Sequence, residues 1–155
     1  MMLLALRICL VFLGASAVAI ASSILTVGAQ ATAGAAEQVF ATLFRWSGPL
    51  SGPWSPTMDS ELRFYAALWG AYGLLVLAVA RDLSARRRYV PWLAAVFFAG
   101  GVGRVASYVG VGPPHPFFTL LMIIELLLPV GLVALWLGAE RSAPPQPTGA
   151  SAGAS

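Results

Sequence analysis

Lysine is absent from this 155-residue sequence, histidine and cysteine occur once each, and charged residues make up only 10% of it. Each scarcity excludes something. A lone cysteine, Cys9, rules out an internal disulfide and a metal centre built of thiolates. With one histidine, His115, and six carboxylates, no metal site and no cofactor is expected. No nucleophile–base pair or phosphate-binding loop accompanies them, so no catalytic residue is assigned. A soluble domain averages about 25% charged residues; here 59% of the residues are hydrophobic and the mean hydropathy is +0.82, which points to lipid as the main solvent. The net charge of +3 and a pI near 9.6 come entirely from nine arginines. These form no basic face interleaved with aromatics outside the apolar runs, which argues against a nucleic-acid partner.

What the sequence has instead is long apolar runs. A membrane-crossing helix needs about 20 mostly apolar residues, and four stretches qualify, at about residues 3–27, 62–80, 90–109 and 117–138. The expected fold is all-α: a polytopic membrane four-helix bundle forming one domain over residues 1–140. The first run also has features of a secretory signal, since Arg7 precedes it and small residues follow, but its length suits a retained helix better than a signal core. If four helices alternate, Arg7, Arg81, Arg86, Arg87, Arg88 and Arg141 all fall on one side. Arginine-rich loops stay in the cytosol, which predicts a multi-pass protein of the cell membrane with both termini cytoplasmic. The cluster "RDLSARRR" could also touch anionic headgroups, at about 1 kcal/mol per arginine; topology is the simpler explanation.

The loop joining the first two spans, residues 28–61, is long. In "EQVFATLFRW", Val39, Phe40, Leu43, Phe44 and Trp46 recur at helical spacing, as in a short amphipathic helix lying at the outer interface or capping the bundle. "SGPLSGPWSP" then breaks regular structure. The tail, residues 141–155, lacks the apolar residues needed to fold and is expected to be a disordered cytoplasmic end.

Charges inside the apolar runs are the most informative feature. In "MDSELRFY", Asp59 or Ser60 can cap the second span, Asp59 and Glu61 suit the positive end of the helix dipole, and Asp59 and Arg63 have the spacing of a helical ion pair. Arg63 can also snorkel towards the headgroups. Arg104 and Glu125 lie deeper, about 9 Å and about 12 Å from the outer ends of their helices at 1.5 Å rise per residue. The short "VGVGPPHP" link makes these helices a hairpin and brings the two charges to similar depth. An unpaired charge at mid-membrane costs about 2.5–3.5 kcal/mol on insertion scales, so Arg104 is expected to pair with Glu125. Gly100, Gly101 and Ser107 give one side of the third span a low surface, and "GASAVAIASS" does the same in the first. Pro129 cannot donate to the carbonyl of Glu125, so a carboxylate and a freed carbonyl coincide there, an arrangement expected to bend the helix and open a polar pocket.

The stretches "MDSELRFYAALWGAYGLLVL", "FFAGGVGRVAS", "VGPPHPFF" and "IIELLLPVGLVALW" resemble, in order and spacing, the bacterial membrane proteins grouped as domain of unknown function family 4345. The resemblance covers about residues 58–137 and implies a four-helix integral membrane protein, with Glu61, Arg63, Arg104, His115 and Glu125 at family-type positions. It brings no activity with it. His115, in "PPHP", also reads as a plain loop residue. The expected function is a non-enzymatic one: a binder of a lipid or small polar ligand, or an accessory subunit of a larger membrane complex, with a pocket on Arg104–Glu125. The alternative is a membrane-embedded enzyme or proton-coupled transporter with Glu125 as the proton carrier.

Overall fold

The computed structural model describes residues 1–45 and 53–142, and all the regular structure in them is helical. The helices are α1 (Met2–Val27), α2 (Ala29–Phe44), α3 (Pro56–Arg81), α4 (Leu83–Arg86), α5 (Val90–Gly110) and α6 (Pro116–Arg141), with a 3-10 turn, Arg87–Tyr89, between α4 and α5. α1, α3, the run from α4 through α5, and α6 are long and apolar enough to cross a bilayer. Large apolar side chains such as Phe12, Leu74, Trp92 and Leu127 lie exposed on their flanks. A bundle with such flanks requires lipid around it, and the chain is a multi-pass membrane protein.

Two helix starts differ from the sequence reading. α3 begins at Pro56 rather than near residue 62. Ser55 is its N-cap, accepting from the Met58 N–H at 3.2 Å, with Pro56 in the first turn where a missing N–H costs nothing. Asp59 and Ser60 therefore lie inside the helix rather than capping it. α2 begins at Ala29, directly after Gly28, because the alanine-rich stretch "AQATAGAA" has strong helix propensity despite its weak apolar pattern. Trp46 and most of "SGPLSGPWSP" lie outside the described residues, as does the tail beyond Ser142. Arg141, expected in the tail, closes α6.

Small residues set the two tightest helix contacts. α1 crosses α3 at Gly14 and Gly73: a Cβ added to Gly73 would lie 2.9 Å from the Gly14 carbonyl oxygen, and one on Gly14 would lie 2.9 Å from that of Gly73. Ala17 and Ala21 extend the same seam, so the small stripe of the first span serves α3. α5 meets α6 at Gly101, whose backbone rests on Leu126 and on the main chain of Glu125. Between α3 and α5 the contact runs through long side chains. The Trp69 ring stacks on Tyr72 and Phe97, and the Tyr72 hydroxyl donates to the Leu93 carbonyl at 2.9 Å.

The main core joins Leu6, Leu10 and Leu13 of α1, Tyr72, Val76 and Val79 of α3, Val90, Ala94 and Phe97 of α5, and Leu132 of α6. All of these lie in the half that holds both described chain ends. The Met2 side chain lies against Gly138, and Arg87 Nε pairs with Glu140 Oε1 at 2.9 Å. In the far half, the buried positions among the described residues are mostly small ones such as Ala17, Ala21, Ala66 and Gly101, with Phe117 the large exception. α2 crosses this far end, tied to α1 by the Ser23–Thr32 hydroxyl contact at 2.9 Å and to α6 by Phe40 against Phe117 at 5.6 Å.

Candidate functional site

The far half carries two charged centres. The first is on the α5–α6 hairpin. Arg104 lies one turn after Gly100 and Gly101, and the close approach that Gly101 permits brings α6 within reach of its side chain. Arg104 Nε donates to Glu125 Oε2 at 2.8 Å. Gly100 faces the same carboxylate: a Cβ there would make ordinary contact with Glu125 Oε2 at 3.7 Å. α6 runs unbroken through Pro129, whose buried ring removes the backbone donor to the Glu125 carbonyl. The guanidinium carbon stands 5.9 Å from the centre of the Phe118 ring, within cation–π range.

The two partners are unequally exposed: the Arg104 side chain is 38% accessible and that of Glu125 15%. An arginine carries five N–H donors. Only the Nε–H of Arg104 has a protein acceptor among the described residues. Val102, Val105 and Tyr108 of the same helix are exposed apolar residues.

The second centre is the corner at Gly28, where α1 ends and α2 begins, with φ at 95°. A helix C-terminus presents carbonyls and partial negative charge, and an N-terminus presents N–H groups and partial positive charge. One turn of α3 answers both. Arg63 Nη1 donates to the Leu25 carbonyl of α1 at 2.7 Å, while Asp59 faces the Ala29 N–H at the start of α2. The two are joined by Arg63 Nε to Asp59 Oδ2 at 2.7 Å. Arg63 thus does more than snorkel, and the sequence held no local sign of this role, because Leu25 is 38 residues away.

An open cleft of about 490 Å³ lies beside this corner, lined by Val27, Gly28, Gln30, Ala31, Trp54, Asp59 and Arg63. Gln30 Oε1 accepts from the Trp54 N–H at 3.2 Å, holding the far rim. The pocket expected on Arg104–Glu125 is therefore not where this cleft lies. Gln30 and Trp54 were missed by sequence reasoning, because nothing in their local pattern marks them.

The other two candidates stand apart from both pairs. Glu61 is exposed and makes no ion pair among the described residues. His115 is the N-cap of α6, its Nδ1 accepting from the Phe117 N–H at 3.3 Å. His115→Ala is expected to lower stability by about 1 kcal/mol through loss of the cap, and His115→Asn to retain most of it. Thermal unfolding in detergent checks this, and an unchanged melting temperature in the alanine variant would remove the capping role.

Comparison with known proteins adds one match. The family model described as Domain of unknown function (DUF4345) matches residues 5–137. No curated protein and no solved structure matches the chain.

Proposed function

The chain belongs to the domain of unknown function family 4345, and on that footing we propose that it is a non-enzymatic membrane protein that binds a lipid or small polar ligand at Arg104. The binding half is the one away from both described chain ends, and the arginine distribution supports reading it as the outer half in the cell membrane. One observation carries the reading: a half-exposed guanidinium at membrane depth keeps its terminal donors without a protein acceptor among the described residues. Polar groups facing hydrocarbon cost several kcal/mol unless hydrogen-bonded. Phosphate or carbonyl oxygens of a lipid or small ligand meet that need. An accessory subunit would meet it with an acceptor from a neighbouring protein, which is the second form of the same requirement.

The test compares molecules retained by the purified protein in native mass spectrometry. Arg104→Lys keeps the charge opposite Glu125 but removes the forked donors, and retention is expected to fall about tenfold, the equivalent of about 1.4 kcal/mol. The exchange of Arg104→Glu with Glu125→Arg preserves an ion pair and should restore folding while the retained molecule is lost. Retention that is equal in the parent, the lysine variant and the exchanged pair, or a parent protein retaining nothing, would overturn the proposal.

A further inference from the structure

We propose that the cleft at the α1–α2 corner binds a zwitterionic amine–phosphate headgroup of the phosphoethanolamine type. This site is separate from Arg104 and does not rest on the reading given to it.

The clamp role of Asp59 and Arg63 leaves much of both groups unused. Arg63 spends its Nε–H on Asp59 and one Nη1 donor on Leu25, which leaves Nη2 and the second Nη1 hydrogen. A carboxylate has about four lone-pair sites; Asp59 uses one on Oδ2 for Arg63 and another towards the Ala29 N–H, which leaves about two. Both side chains remain accessible, 38% for Asp59 and 37% for Arg63, and both line the cleft. Gly28 keeps the floor clear: a Cβ there would come within 3.1 Å of Arg63 Nη2 and 3.2 Å of Asp59 Oδ1.

The charge arrangement selects the ligand class. A closed ion pair has no net charge and exerts little pull on a simple anion or cation. A ligand carrying an ammonium next to a phosphate can instead satisfy both members at once, the ammonium donating to Asp59 and the phosphate accepting from Arg63. Location points to a headgroup. The site lies on the first turns of α3, at the end of an apolar span, where lipid phosphates and amines reside. Trp54 lines the cleft at this level, as tryptophans do at membrane interfaces. A quaternary choline ammonium cannot donate a hydrogen bond to Asp59, and a glycerol headgroup lacks the cation.

The experiment reconstitutes the full-length protein in nanodiscs of equimolar phosphatidylethanolamine, phosphatidylcholine and phosphatidylglycerol, and counts retained lipids by native mass spectrometry. Phosphatidylethanolamine is expected to be enriched about tenfold over the other two, and Asp59→Asn, which keeps an oxygen acceptor for Arg63, is expected to bring the three to near equality. Arg63→Gln should do the same, and Gly103→Ala, where nothing lies within 4 Å of the added carbon, should leave this preference intact. Soluble phosphoethanolamine distinguishes the source: competition assigns the recognition to the headgroup alone, and no competition assigns it to the headgroup on its lipid. Equal retention of the three lipids by the parent, a preference for phosphatidylglycerol, or a preference that survives Asp59→Asn would overturn the proposal.

Discussion

Gly73→Val is expected to leave little folded protein in detergent, with a loss of about 3 kcal/mol or more, the upper range for overpacking a tight contact. The added Cβ would sit 2.9 Å from three atoms at once: the Gly14 carbonyl oxygen, Ala17 Cβ and Val18 Cγ2. One of these is main chain and none is the flexible end of a long side chain, so relief requires α1 and α3 to move apart. Their separation would undo the seam of Ala17 and Ala21 as well. Gly103→Ala is the matched control, because nothing lies within 4 Å of the added carbon. It should be neutral or slightly stabilising, as alanine is the better helix former. Recovery of monodisperse protein and its melting temperature decide the matter. A Gly73→Val protein that melts like the parent would mean that the α1–α3 crossing is looser than described.

The second large effect concerns Arg104 and Glu125, and the order of the variants matters more than any one value. Glu125→Leu leaves an arginine in apolar surroundings that cannot lose its charge, at a cost of at most about 2.5–3.5 kcal/mol on insertion scales. The half-exposed position of Arg104 lets it snorkel and lowers that figure. Arg104→Leu should cost less, because an isolated carboxyl group can be neutralised by a proton. Replacing both with leucine should return stability close to that of the parent, since removing an ion pair whole is cheaper than orphaning one member. Unfolding of the four proteins in one detergent gives the coupling energy directly. If the double variant lost the sum of the two single losses, the pair would contribute nothing as a pair.

How much of this was legible in the sequence follows from how far apart the causes lie. Four spans could be read because each is a run of consecutive apolar residues, and the structure has a long helix on each. The Arg104–Glu125 contact could be anticipated because a short link fixes the register of α5 against α6, so two charges at similar depth must meet. The start of α3 was misplaced although its signal was present, in Ser55 followed by Pro56, because the polar stretch "SPTMDSE" outweighed it. The Gly28 corner was not legible. Its logic needs two helix ends and one turn of a third helix brought together, and only the Asp59–Arg63 link of that set is local. Likewise the cap made by His115 depends on which ring nitrogen faces the chain, a matter of geometry that "PPHP" does not contain.

The interlocking of large side chains at one end of the bundle, with mostly alanine and glycine buried at the other, gives the molecule the build of a clothes-peg. Its spring is the aromatic stack of Trp69, Tyr72 and Phe97 among the leucines; its tips carry Arg104 and the Gly28 corner. Under heat or a harsh detergent the tips are expected to part before the spring does. Trp69 and Trp136 pack against the spring while Trp54 lines the cleft at the tips, so the first two should keep a folded signal after Trp54 has lost its own.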